Sequence, residues 1–254
     1  MEYGTAISCK KQNFMTYNGN MLFHFTKFES ALKIIATNRL MFGEFVNMND
    51  ISESRREIFD EDLEREIRLF KSLSFTVDNR NKRAFAIDSL WGYYAEKGNG
   101  VCLVFNKEML INSFRTLDGF CRNGKIHYRK KFSNAIFPES TSYFSAQKEI
   151  ERRYKDIFFT KSFDWKTENE YRFLIRPNTK SLKNLNFADS LIAIILCLPL
   201  CLEIKETAEY KILKRQTKKP ILRYTTKLGN KELWKIETDE LLWPIIGIDY
   251  FLDV

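Results

Sequence analysis

Glu168 to Pro177 reads "ENEYRFLIRP", and its last eight residues, Glu170–Pro177, read as a strand. Glu168 and Glu170, spaced i and i+2 at the strand entrance, are predicted to point to one face, which Arg172 continues. Two carboxylates this close repel unless an arginine or a ligand compensates. Other strands surround this one: "MLFHF" from Met21, "MFGEFV" from Met41, "SLSFTV" from Ser72, "GVCLVF" from Gly100, "KIHYRKKF" from Lys125, "LIAIIL" from Leu191, "PILRYT" from Pro220 and "LWKIET" from Leu233. Helical spacing follows Thr26, which can cap its helix, and recurs over Ile51–Phe70, Ser89–Gly98, Lys107–Arg115, Ser142–Phe158 and Glu203–Arg215. The order neither alternates strictly nor is all helical. It predicts an α+β domain on a mixed, largely antiparallel central sheet with flanking helices. Residues 1–20 read as a polar lead-in and 21–254 as one domain.

The 254 residues carry 41 Lys+Arg against 33 Asp+Glu, a net +8, with 44% hydrophobic and 15% aromatic residues. Such a chain buries a core, which excludes disordered and collagen-like classes. The run "LIAIILCLPLCL", Leu191 to Leu202, is shorter than the ~20 residues of a membrane span, and Pro199 interrupts it. It reads as a buried strand and a turn, with no membrane partner. Five cysteines without a C-x-x-C pair, and no apolar leader, point to reduced thiols in a cytoplasmic protein. With two histidines, His24 and His127, a three-histidine metal site is excluded, and no metal is expected. The phosphate loop, the G-x-G-x-x-G fingerprint, the G-x-S-x-G elbow and H-E-x-x-H are all missing.

Several constellations remain. His24 on a strand, with Thr26 behind it, either presents a ring nitrogen as donor to a ribose or amide, or is a satisfied core histidine. Asn47, Asn49, Asp50 and Glu53 read as a turn and helix cap. Ser74 lies on a strand. Trp91 and Tyr94 either stack on a ring or fill core, with Trp91 the more core-like. The tract Lys211–Lys231 holds eight basic residues and no acid, Lys214, Arg215, Lys218, Lys219 and Arg223 among them. It reads as a polyanion-binding patch or a solvated surface, and Arg122, Lys125, Arg129, Lys130 and Lys131 form a second.

The pieces "FHFTKFESALKIIATNRLMF", "MNDISE", "LSFT", "WGYYAEKGNGVCLVF" and "FDWKTENEYRFLI", in this order between Leu22 and Ile175, resemble a bacterial family catalogued as domain of unknown function 2971. W-x-x-Y at Trp91–Tyr94 with E-x-E-Y-R at Glu168–Arg172 is the most specific part. Thr76 departs from the family's Ser, and Ile51 from its Pro. The layout also resembles ADP-ribosyltransferases, which split a mixed sheet around NAD and use no Gly-rich fingerprint. That resemblance implies NAD as co-substrate, with Glu170 and Glu168 catalytic and His24, Thr26, Ser74, Trp91, Tyr94 and Arg172 binding it. Arg172 would neutralise the pyrophosphate, and Glu168 would activate an acceptor in DNA, RNA or protein. It implies a toxin or antiphage effector. The alternative is a non-catalytic or nuclease-type nucleic-acid-binding module using Lys214, Arg215, Lys218, Lys219 and Arg223.

Overall fold

A computed structural model of the chain describes residues 20–50, 53, 61–79, 82–130, 143–179, 184–198, 204–227, 230–237 and 240–244. The lead-in up to residue 19, most of the first half of the helix expected from Ile51, Lys131, Pro199 and the first residues of the helices expected from Ser142 and Glu203 lie outside them. Along the chain run β1 (Met21–Thr26), α1 (Phe28–Thr37), β2 (Arg39–Met41), β3 (Gly43–Glu44), α2 (Glu61–Leu69), β4 (Lys71–Thr76), α3 (Asp88–Tyr94), β5 (Val101–Asn106), α4 (Lys107–Arg115), β6 (Gly119–Lys125) and β7 (His127–Arg129). Then come α5 (Tyr143–Arg152), α6 (Tyr154–Phe158), β8 (Thr160–Ser162), β9 (Glu170–Pro177), β10 (Asn184–Asn186), β11 (Leu191–Cys197), α7 (Ala208–Gln216), β12 (Ile221–Lys227), β13 (Asn230–Lys235) and β14 (Glu240–Pro244).

The main sheet has the order β14-β13-β12-β11-β5-β1-β4-β9-β6, with β3 added on β4. All its pairs are antiparallel except β11 with β12. The architecture is therefore α+β on a mixed, largely antiparallel sheet. Val101 to Phe105 is apolar throughout because β5 is buried on both faces near the sheet's middle. Helix α4 starts where Asn106 Oδ1 accepts from Met109 N at 3.0 Å.

One face of the sheet carries a continuous core. Leu22, Phe75, Leu103, Phe173 and Ile194 pack there with Ala31 and Ile35 of α1, Leu110 and Phe114 of α4, and Leu213 of α7. The other face has two separate cores. Phe23, Phe25, Val104, Ile195 and Leu222 pack with Phe85, Leu90 and Trp91. Leu174 packs with Phe45, Leu63, Phe70, Ile150 and Phe158. Between the two, β4 and β9 bring polar side chains.

The sheet also parts. Strand β1 pairs with β5 over six residues and β4 with β9 over six, but β1 meets β4 at one registered pair, Phe23 opposite Thr76.

Local expectations changed in several places. The helix expected over Ser89–Gly98 stops at Tyr94, followed by a 3-10 turn over Glu96–Gly98, and the one expected over Glu203–Arg215 divides into a 3-10 turn at Ile204–Glu206 and α7. Thr26 does not cap α1: Lys27 is the N-cap, and the Glu96 carboxylate accepts from Phe28 N at 3.3 Å. "MFGEFV" divides into β2, β3 and a 3-10 turn at Phe45–Asn47. The helix expected over Ser142–Phe158 breaks at Arg153, whose backbone leaves helical geometry. Of "KIHYRKKF", His127–Arg129 form a short strand beside β8, while Lys125 ends β6. No helix among the described residues is long and apolar enough to cross a membrane.

Two glycines near the parting strands separate strain from space. A Cβ on Gly100 would collide with Thr26 O and lie 2.8 Å from Ala95 Cα, both backbone, whereas one on Gly92 in α3 would meet nothing within 4 Å. Gly100→Ala is expected to cost about 1–3 kcal/mol, and Gly92→Ala to be stabilising by roughly 0.5–1 kcal/mol. Urea unfolding midpoints check both.

Candidate active site

Alternation along β9 sends Tyr171, Phe173 and Ile175 to the continuous core and Glu170, Arg172 and Leu174 to the other face. Ser72 and Ser74 of β4 accompany them, opposite Leu174 and Arg172 in the register. A polar seam thus lies between two apolar cores.

Its centre is Arg172, fully buried. Nε donates to Glu170 Oε1 at 2.7 Å and Nη2 to Glu170 Oε2 at 3.0 Å. Nη1 donates to Glu53 Oε1 and to the Phe158 carbonyl, both at 2.5 Å, and Nη2 to Glu53 Oε2 at 3.2 Å. These bonds use all five guanidinium N–H groups. Lys161 of β8 adds a second cation. Its Nζ lies 2.8 Å from Glu170, 2.9 Å from Glu168 and 3.6 Å from Glu53. Ser74 Oγ donates to Glu170 Oε1 at 2.6 Å. Glu170 therefore accepts four hydrogen bonds, and its backbone N–H donates to Tyr128 Oη at 2.8 Å.

The two glutamates converge by a route other than a shared strand face. Glu168 ends a 3-10 turn over Phe163–Glu168, and Glu170 opens β9. Between them Asn169 takes the left-handed conformation (φ 43°, ψ 51°), which Asn tolerates better than most residues. Asn169 Nδ2 donates to Val77 O at 2.6 Å, and Val77 N donates to Asn169 O at 3.1 Å, tying the turn to the end of β4.

Their environments push the two carboxyl groups apart. Burial acts upward on Glu170, but Arg172 and Lys161 outweigh it and bring its pKa down from 4.5 to about 2. For Glu168 burial dominates, Lys161 offsets it only in part, and the pKa is raised. Tyr94 donates its hydroxyl to Glu168 Oε1, and burial, then Glu168, raises the phenol. Burial opposes charge on Lys161, yet Glu170 and Glu53 hold its ammonium pKa above the ordinary value.

At the parting of β1 and β4, His24 Nδ1 lies 3.1 Å from the Ser74 carbonyl. A carbonyl only accepts, so Nδ1 carries the proton. Burial lowers the imidazole's pKa, partly offset by this bond. The neutral ring therefore offers Nε2 as an acceptor, not the donor expected from sequence.

The parting opens a cavity of about 350 Å³, lined by His24, Ser74, Tyr94, Lys161, Glu168 and Glu170, with Phe25, Phe75, Met41, Met48 and Asn49 among the walls. Its size suits a small ligand or one end of a larger one. Ser72 Oγ, in a buried lining residue, has no hydrogen-bond partner among the described residues. Among the described residues no group of three or more His, Cys, Asp or Glu is placed to hold a metal ion.

Five of the predicted residues, His24, Ser74, Tyr94, Glu168 and Glu170, thus meet in one cavity. The others lie elsewhere. Trp91 is core: its ring stacks on Tyr224 at 5.6 Å, and its Nε1 donates to Phe85 O at 2.8 Å. Thr26 is half-buried and outside the lining. Arg172 stands behind the cavity with every N–H engaged, which leaves none for a pyrophosphate. In the basic tract, Lys214 pairs with Glu237, Arg223 lies 5.7 Å from the Trp234 ring, Lys219 is half-buried, and Arg215 and Lys218 are exposed. All five sit on or beside α7 and β12. Lys161, Glu53, Tyr128 and Asn49, which hydrogen-bonds Tyr94, belong to the cluster without having been singled out as site residues. From sequence, Asn49 and Glu53 read as part of a turn and helix cap and Tyr128 as a strand position, while Lys161 falls between the elements.

Arg172→Met strands Glu53 and Glu170 and is expected to cost about 3–5 kcal/mol. Arg172→Lys will not restore it, because an ammonium has three N–H groups and no planar fork. Acid tests the same cluster. With its folded pKa depressed, Glu170 contributes stability that is fully present above pH 4.5 and lost as pH falls through about 2, of order 3 kcal/mol. His24, lowered by burial, adds a loss that begins as pH falls through 6.5. Glu168 works oppositely, since protonating it relieves a cost. Urea midpoints from pH 7 to 2 should therefore fall in two stages.

No curated protein and no solved structure matches the chain. Residues 90–173, which hold Tyr94, Lys161, Glu168, Glu170 and Arg172, match the family model described as "Protein of unknown function (DUF2971)", the family that the motifs resemble.

Proposed function

We propose that the cavity binds the nicotinamide–ribose end of NAD and that the protein is an ADP-ribosyltransferase-like enzyme acting on a macromolecule, in keeping with an effector role. The observation that carries this reading is the meeting of His24, Ser74, Tyr94, Glu168 and Glu170 in one cavity where the sheet parts. NAD supplies a labile bond between a cationic ring and a ribose carbon that becomes positive as the bond breaks.

The chain's own groups suit that chemistry. Glu53, Glu168 and Glu170 face Lys161 and Arg172, leaving one negative charge in excess when all are ionised. Such a seam favours a cationic ring and a developing positive charge. Glu170, held ionised, is the fixed charge. Its acceptor sites are full, so a ribose hydroxyl that binds it displaces a donor, and the Ser74 hydroxyl is the one that can rotate away. His24 Nε2 accepts from a hydroxyl or an amide N–H, and Ser72 Oγ is a second polar handle. Phe25, Phe75 and Tyr94 wall the ring. Glu168, with its raised pKa, takes the proton of the attacking acceptor. Tyr94 and Lys161 hold its carboxylate for that step.

Nicotinamide release from labelled NAD tests the proposal. Glu168→Gln is expected to lower release by 100-fold or more, while the thermal shift on adding NAD persists. Neither release nor a thermal shift at millimolar NAD would overturn it.

A further inference from the structure

Tyr93 is 70% exposed, although α3 packs its neighbours Leu90 and Trp91 into the core. Its ring lies 6.4 Å from that of Tyr94, a cavity residue, and 6.5 Å from that of Trp165. Lys161, another cavity residue, has Nζ 5.6 Å from the Trp165 ring centroid. Both aromatics therefore stand next to cavity residues, outside the lining itself. Phe163 stands two residues earlier on the same 3-10 turn, 40% exposed. Lys166 and Lys130 place their Nζ atoms 4.9 and 5.5 Å from its ring. The turn that carries Glu168 inward thus leaves Phe163 and Lys166 exposed and Trp165 half-buried. Its own exposed acid, Asp164, accepts from Ser162 Oγ at 3.0 Å, and the nearby Asp156 pairs with Arg129 at 3.3 Å.

We infer that this rim of Tyr93, Trp165 and Phe163 with Lys130 and Lys166 docks an unpaired strand of nucleic acid, the acceptor class for the neighbouring cavity. The purpose of the docking rests on the NAD reading, but the binding does not. Bases stack on exposed rings whatever their sequence, and lysines beside those rings meet the phosphates. The Tyr93 and half-buried Trp165 planes are tilted by 59° and not stacked on each other, which leaves the exposed Tyr93 ring a face for a base beside Trp165. A protein partner is the poorer fit, because lysine is depleted at the cores of protein interfaces. A duplex keeps its bases stacked inside and offers the rings nothing to stack on. The basic tract is a separate surface, on α7 and β12, while the rim adjoins the β4–β9 end of the cavity.

Fluorescence anisotropy of the full chain, without NAD, tests this with labelled single-stranded RNA and DNA of about 16 nucleotides and a duplex of equal length. Single strands should bind more tightly than duplex, and more weakly as salt rises. Tyr93→Ala should weaken binding about tenfold, and Tyr93→Ala with Trp165→Ala about 100-fold. Tyr93 is exposed enough that its variant should keep the wild-type unfolding midpoint. Equal affinity for duplex, no binding at low salt, binding undiminished in both variants, or loss only on Lys214→Ala with Lys218→Ala would each overturn the inference. So would label transferred from NAD in a lysate to material that resists nuclease and yields to protease. Because binding is read without NAD, failure of the NAD reading leaves the anisotropy result standing.

Discussion

The structure around the cavity depends on one buried guanidinium. Taking Arg172 out of water is costly unless every N–H finds a partner. The fold meets that demand with two carboxylates and one carbonyl drawn from three places in the chain: Glu53, Glu170 and Phe158. Glu53 is 119 residues away in sequence. The segments bearing Glu53 and Phe158 must therefore be in place together, which is why this face holds two apolar cores with a polar seam between them. Ser72, Ser74 and Thr76 on β4 follow from the same constraint. Large apolar side chains there would remove the Ser74 donor from Glu170 and fill the space where the cavity lies.

From this anchor the two glutamates acquire different characters. Glu170 is tied on both oxygens and remains charged. Glu168 is buried with fewer compensating contacts and is the more easily protonated. The left-handed turn at Asn169 makes the difference by placing the pair on either side of a bend rather than in one environment. Divergent pKa values on adjacent carboxyl groups are the usual physical basis for separating a fixed charge from a proton carrier.

Much of this was legible in the sequence, for identifiable reasons. The strand Glu170–Pro177 and the helix Lys107–Arg115 have the bounds expected of them, because hydrophobic patterning is strong there and Asn106 caps the helix. His24, Ser74, Tyr94, Glu168 and Glu170 could be collected as polar residues on or beside apolar elements. The neighbours that tune them could not. Lys161 sits on a strand of three residues, too short for periodicity to register. Glu53 looked like a cap residue because its local sequence does make a turn, with Glu53 N donating to Asp50 O at 3.0 Å. Arg172 looked available to a ligand because charge is visible in a sequence and hydrogen-bond saturation is not. Likewise Trp91 and Tyr94 are three residues apart on one helix, and only packing separates the ring stacked on Tyr224 from the hydroxyl on Glu168.

The charge distribution adds a last step. The chain carries a net +8, yet the seam at its cavity, from lining residues to the groups behind them, holds three carboxylates (Glu53, Glu168 and Glu170) against two cations (Lys161 and Arg172). A basic body draws in polyanions over distance, while the acid-lined cavity disfavours an anionic group at close range and favours a cationic one. A ligand with a cationic ring at one end and phosphates at the other satisfies both fields when its ring lies in the seam and its phosphates remain outside. The same two fields keep a nucleic-acid backbone at the rim, where Lys130 and Lys166 stand, and admit only an uncharged base or hydroxyl towards Glu168. On the proposed reading, electrostatics alone would then orient both reactants.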